Sequence, residues 1–265
     1  MTRYTHGHAE SVLRSHRSRT AENSAAHLLP HLRPGLRLLD VGSGPGTITA
    51  DLVEQVAPGR VTALEATEEA LGLTRDELAR RGLEADLLVG DVHALDLPDD
   101  TFDVVHAHQV LQHVADPVQA LREMARVTRP GGVVAVRDSD YAAFTWWPAV
   151  PELDEWMALY QRVARSNGGE PDAGRRLLSW AHAAGLEDVE ASSSTWCYAD
   201  PTTRAWWGGM WADRILTSAM ARQALDEGAA TSADLERISS GWRRWAAEPD
   251  GWFSLLHGEL VVRVR

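Results

Sequence analysis

Lysine is absent from these 265 residues, so all 26 basic side chains are arginines. Such a bias arises when a GC-rich genome avoids lysine codons, and it speaks to origin rather than mechanism. Cysteine is nearly absent: Cys197 stands alone, which excludes an internal disulfide and a multi-thiolate metal site and leaves the role of buried filler. Positive charge is in deficit, 26 residues against 38 acidic ones, a formal charge of −12 with no basic run or stripe. Nucleic acid and anionic membrane surfaces repel such a chain. No stretch approaches the roughly 20 apolar residues that span a bilayer, and the opening segment lacks the apolar block of a secretory signal. The expectation is a cytoplasmic protein with no membrane insertion. Tryptophan is missing from the first 145 residues, all 11 lying at or beyond Trp146, so the two parts of the chain do different jobs.

What is present reads as one α/β domain. At 44% hydrophobic the chain can bury a sizeable core. From Leu36 onward short apolar runs alternate with segments at helical spacing: LRLLDVG, GRVTALEA, ADLLVGDV, FDVVHAH and GGVVAVRD are candidate strands. Their apolar positions are too continuous for a sheet with one wet face, which implies a parallel sheet covered on both sides in a doubly wound fold. The first helix after the sheet begins should start near Gly46, and another should run over 117–127 with Val118, Leu121, Met124 and Ala125 inward. Residues 1–35 read as an N-terminal helical cap, 36–140 as a ligand-binding core, and 141–265 as a tryptophan-rich region with two last strands flanking a helical insertion at 201–250.

The stretch LLDVGSGPGT places Gly42, Gly44 and Gly46 between a strand and a helix. A glycine there admits left-handed backbone and lets a ligand approach the amides closely. A ligand-free glycine turn is the plainer alternative. A dinucleotide fingerprint would need a third glycine where Thr47 stands, so a pyrophosphate is poorly served. Glu65 ends the second strand about 20 residues beyond the loop, where a carboxylate can accept from both hydroxyls of a ribose; a surface glutamate is the alternative. Asp91 ends the third strand and can accept from an exocyclic amine while the Val92 amide meets a ring nitrogen, or else it caps the following turn.

Taken in order at three strand ends, these residues resemble the class I S-adenosylmethionine-dependent methyltransferases, nearest to the branch containing the ubiquinone and menaquinone C-methyltransferases. The resemblance covers 36–138 and includes GDVHALDLPDDTFDVV and LQHVADPVQALREMARVTRPGG. It implies a seven-stranded Rossmann-like sheet of order 3-2-1-4-5-7-6 with strand seven antiparallel. It also implies S-adenosyl-L-methionine as cofactor and S-adenosyl-L-homocysteine as product. By that likeness Asp40, Gly42, Ser43 and Gly44 line the methionine part, Glu65 and Ala66 the ribose, Asp91 and Val92 the adenine, and His108 and Gln109 the sulfonium end.

Methyl transfer from a sulfonium needs alignment more than it needs a base. His108, at the crevice rim, is the candidate base where the acceptor must lose a proton; His113 belongs to a motif in which the histidine is a packing residue. His106 and His108 lack a third ligand nearby, so no metal site is expected. Tyr4, His8 and His16 on the N-terminal helices, Asp140 after strand five, and Trp146, Trp207 and Trp211 are candidates to hold a small, apolar or aromatic acceptor in an enzyme of specialised metabolism, although most tryptophans belong in a core. The competing readings are a non-catalytic S-adenosylmethionine binder and a nicotinamide-dependent oxidoreductase. The oligomeric state stays open.

Overall fold

A computed structural model describes residues 15–265, so Tyr4 and His8 lie outside the described residues. Five parallel strands form the centre: β1 (Arg37–Val41), β2 (Arg60–Glu65), β3 (Asp86–Val89), β4 (Phe102–His108) and β5 (Thr128–Ser139). A short β6 (Thr145–Trp147), β7 (Val189–Tyr198) and β8 (Trp252–Arg263) complete the sheet, and Cys197, expected as buried filler, is exposed on β7. β8 runs antiparallel to β5 along one edge and to β7 along the other, and β6 pairs with the first residues of β8 beyond the end of β5. The path is β3-β2-β1-β4-β5-β8-β7, which is the order the resemblance implies once the extra β6 is counted.

The central strands are apolar without alternation because both faces are covered. On one face α1 (Ala21–Ser24) and α2 (Thr47–Val56) sit over Leu38, Val104 and Val133. On the other, α4 (Pro117–Val127) and α6 (Leu177–Ala183) cover Leu39, Val105 and Val134. α3 (Glu68–Arg81) lies between β2 and β3, started by Thr67 accepting from the Ala70 amide and ended by left-handed Gly82. α4 starts where Asp116 accepts from the Gln119 amide and Pro117 occupies the first turn, whose missing N–H costs nothing there.

A third core lies at the far end of β8. There α5 (Pro151–Ser166), α7 (Pro201–Thr217), α8 (Ala219–Asp226) and α9 (Ser232–Ala247) bury Trp156, Trp211, Trp242 and Trp245 around Phe253. The 201–250 insertion is thus three helices packed into a hydrophobic core, one edge of which also walls a cavity. No helix among the described residues is long and apolar enough to cross a membrane.

Candidate active site

The loop after β1 turns on three left-handed glycines, with φ of 72° at Gly42, 56° at Gly44 and 79° at Gly46. They serve different ends. A Cβ on Gly42 would run into the Val110 side chain, and one on Gly46 would come within 2.8 Å of the Thr74 backbone in α3, so these two are fixed by packing. At Gly44 a Cβ would meet nothing closer than the Gly42 carbonyl at 4.0 Å; this is the open face of the loop. Hydroxyls pin the loop from behind. Thr74 donates to the Gly44 carbonyl at 2.9 Å, so its single proton is spent and the Ser43 hydroxyl, 2.8 Å away, donates to it.

Ser43 therefore faces α3 rather than the crevice. Asp40 is also committed elsewhere: 3% exposed, it accepts from Thr49 at 2.6 Å and pairs with His106 Nδ1 at 2.8 Å. The expected contacts of these two side chains with a methionine moiety are corrected to a supporting role. Asp40 points inward from β1 toward His106 in β4, and Ser43, in the loop beyond β1, is turned toward Thr74.

Glu65 stands at the end of β2 against the open face of the loop, one oxygen accepting the Gly44 amide at 2.7 Å and the other the Ala66 amide at 3.1 Å. Asp91 Oδ1 accepts from the His93 amide and faces His93 Nδ1 at 2.6 Å, and these hydrogen bonds hold its carboxyl below the usual range. Val92 beside it is buried. Asp91 thus caps the turn that follows it.

Gln109 follows β4 with a left-handed backbone, φ 55°, a strained conformation for a residue with a side chain. Its Oε1 accepts from Arg19 at 2.7 Å and its amide donates to His257 Nε2 at 2.9 Å, which leaves His257 protonated on Nδ1 toward the Leu255 carbonyl. His108, one residue earlier, points into the protein. It is 6% exposed, neither ring nitrogen has a hydrogen-bond partner among the described residues, and it sits behind Trp196 and His257 with ring centroids 5.9 and 6.3 Å away. Burial, then the charges of Arg19 and Arg137, hold its pKa well below the ordinary histidine value. The expectation of a base at the rim is corrected: the ring is buried and lines neither the chamber nor the rim. His113, half-buried and accepting from Gln112, is a packing residue as its motif suggests, with desolvation lowering its pKa to about 4.

A closed chamber lies at the carboxyl ends of β4 and β5. Gln109 and Ser139 form its floor; Tyr141, Phe144, Trp196, Tyr198, Trp207 and Trp211 wall it; Ser15, His16, Arg19 and Arg214 close it. Trp207 and Trp211 thus meet the chamber, and Trp207 stacks on Tyr198 at 4.5 Å. Trp146 does not line it; it stacks on Phe253 at 5.5 Å. Asp140 is likewise withdrawn, bound by two hydrogen bonds of 2.7 Å to Arg175, and the expected acceptor roles of these two residues are corrected accordingly. Arg19 and Arg214 carried no sequence signal, since nothing local separates them from the other arginines.

A family model described as a methyltransferase domain matches residues 39–136. The chain is 35% identical over 272 residues to an uncharacterized methyltransferase of Schizosaccharomyces pombe, an alignment spanning 98% of this chain and 96% of that relative. To the ubiquinone/menaquinone biosynthesis C-methyltransferase UbiE of Idiomarina loihiensis it is 31% identical over 180 residues, 62% of this chain and 71% of the other. The solved YcgJ protein of Bacillus subtilis shares the fold at a TM-score of 0.58 and 20% identity, covering 91% of this chain and 97% of its own. With a full-length relative, a matching domain model and the glycine loop in place, the chain belongs to the class I S-adenosylmethionine-dependent methyltransferases.

Proposed function

We propose that this enzyme methylates a small aromatic acceptor seated at the chamber under residues 15–19, whose own volume of about 20 Å³ admits one water, so that the acceptor displaces wall side chains on entering, and, by analogy from its arginine-only composition, that it serves specialised metabolism. The observation that carries the reading is the chamber itself, six aromatic side chains gathered at the ends of β4 and β5 beside Gln109. Rigid rings suit a flat acceptor, and an enclosed cavity keeps water from the reaction.

The residues around the glycine loop fit the cofactor. The open face of Gly44 permits close approach, and Glu65 beside it brings a carboxylate, the group suited to accept from the vicinal hydroxyls of a ribose. Asp91 and Val92 would take the adenine, and Gln109 would stand at the methyl-bearing end, adjoining the chamber. When bound, S-adenosylmethionine supplies a methyl group on a sulfonium, reactive enough that alignment is the main demand on the protein. Gln109 is positioned for that task by three hydrogen bonds: its backbone amide donates to the Arg137 carbonyl, its Oε1 accepts from Arg19, and its side-chain amide donates to His257.

The test is an incubation with methyl-labelled cofactor and a host metabolite extract. A labelled small molecule and S-adenosylhomocysteine in equal amounts are expected. Label confined to protein or nucleic acid, or no transfer from any fraction, would overturn the small-acceptor reading.

A further inference from the structure

We propose, resting on the assignment of Asp91 to the adenine, that His93 is a positioning residue for the cofactor: it fixes the Asp91 carboxylate so that one oxygen is kept for the 6-amino group. The Asp91 side chain is 69% exposed, so packing does not hold it, and a mobile carboxylate gives up rotamer freedom when it binds a ligand. The Gly90 amide donates to the Glu65 carbonyl at 2.9 Å. Asp91 therefore stands one residue beyond a backbone tie to the residue proposed for the ribose.

His93 reaches Asp91 twice. Its backbone amide donates to Asp91 Oδ1 at 2.9 Å, and its Nδ1 stands 2.6 Å from the same oxygen. The far side of the ring settles the tautomer. There the Asp116 backbone amide meets Nε2 at 3.3 Å, and because a backbone N–H can only donate, Nε2 accepts and the ring hydrogen sits on Nδ1, donating to the carboxylate. Both bonds fall on Oδ1, so Oδ2 is the oxygen that His93 leaves to an adenine amine. Two donors on one oxygen restrain the carboxylate more than the backbone amide alone could.

The ring is held in its turn by α4. Gln119 Nε2 donates to the His93 carbonyl at 3.2 Å, the Leu95 amide donates to the Glu123 carboxylate at 2.8 Å, and Arg126 donates to the Leu95 and Leu97 carbonyls at 2.9 Å each. Val92, between these ties, is buried. Asp116 serves helix and turn together, accepting the Gln119 amide at the start of α4 while its own amide donates to His93. The backbone ties shape the turn, whereas the Nδ1 bond acts on the carboxylate itself and carries the order of a rigid helix to an exposed side chain.

Calorimetry with two ligands separates aiming from folding: S-adenosylhomocysteine, and its purine analogue with hydrogen in place of the 6-amino group. Wild type should prefer the amino ligand about tenfold or more, as expected for a hydrogen bond to a charged acceptor. His93→Phe keeps a ring and removes the donor; it should cut that preference to about threefold or less, with affinity for the analogue retained. His93→Asn sets an amide donor in the place of Nδ1 and should restore most of the preference, and Asp91→Ala should abolish it. A full preference in His93→Phe, or an equal loss of both ligands, overturns the role of His93 while the loss of preference in Asp91→Ala keeps the adenine with Asp91. A preference that survives Asp91→Ala, or is missing from wild type, overturns the adenine assignment and the role of His93 together, and leaves label transfer from the extract to stand. Should His93→Phe fail to fold, His93→Ala is read in the same way.

Discussion

At Glu65 one carboxylate does two things, bracing the Gly44 amide and facing the place where a ribose would lie. Glutamine keeps an oxygen for the amide and gives up the second acceptor and the charge. Hydrogen bonds to charged groups contribute roughly 1.5 to 3 kcal/mol each. Glu65→Gln should therefore weaken S-adenosylhomocysteine binding about tenfold or more by calorimetry, and should discriminate less than wild type against the 2′-deoxyribose analogue. Unchanged discrimination would assign the ribose to another residue. Asp138 offers a different residue-scale test. It is fully buried, accepts the Gln112 amide at 3.0 Å, and burial pushes its pKa up to about 7 from 3.8. The folded protein then holds a proton that the unfolded chain releases above pH 4. Stability is complete below that pH and falls as pH rises toward 7. Three pH units correspond to about 4 kcal/mol as an upper bound. Asp138→Asn retains the acceptor oxygen without the charge, so its melting temperature should exceed that of wild type by several degrees at pH 8, the gap closing toward pH 4. A gap independent of pH would show that the carboxyl is ionised throughout.

Between residue and domain, the loop joining β1 to α2 is held by an element that follows it in the chain. Thr74, in the middle of α3, relays one hydroxyl hydrogen bond from Ser43 to the Gly44 carbonyl. Thr74→Val keeps the shape and deletes the relay, leaving two polar groups without this partner. Such a loss costs about 1 to 3 kcal/mol. Urea denaturation should show that decrement, and S-adenosylhomocysteine affinity should fall because the amides are no longer pre-oriented. Stability lost with affinity intact would mean that the glycines and their packing on Val110 and α3 hold the loop unaided. The segment 15–24 acts as a second tie. It reaches Gln109 through Arg19, Arg214 through Ser15, and the Trp196 indole through the Asn23 carbonyl.

At the scale of the molecule, the tryptophans divide the chain into a sheet with two aliphatic cores and a helical end with an aromatic one. Trp156 is its hub, with its ring edge-on to Trp211 at 4.6 Å and Trp242 at 4.9 Å. If this region were only a lid, truncating the hub would impair acceptor use and spare the fold. As a core residue with no exposed surface, Trp156→Ala should cost about 3 to 5 kcal/mol, seen as a marked drop in melting temperature with loss of the aromatic near-ultraviolet signal. Retained stability would return the region to the role of a lid.

The sheet, the glycine loop and the carboxylates at successive strand ends were legible in the sequence because each depends on neighbours along the chain. Unbroken apolar runs mark strands covered on both faces, positive-φ turns demand glycine, and βα alternation puts Asp40, Glu65, Asp91 and Gln109 at one edge. Which way a side chain turns at that edge was not legible. Asp40 and His108 are drawn inward because β4 lies against β1 and β7 against β8, pairings that bring together residues 66 and between 55 and 73 positions apart. Tertiary structure alone made the chamber: Arg19 and Arg214 meet there from opposite ends of the chain, and Trp207 faces a cavity only because α7 packs beside β7. Backbone class follows from local periodicity and turn chemistry, whereas the lining of a cavity is set by which distant segments close over it.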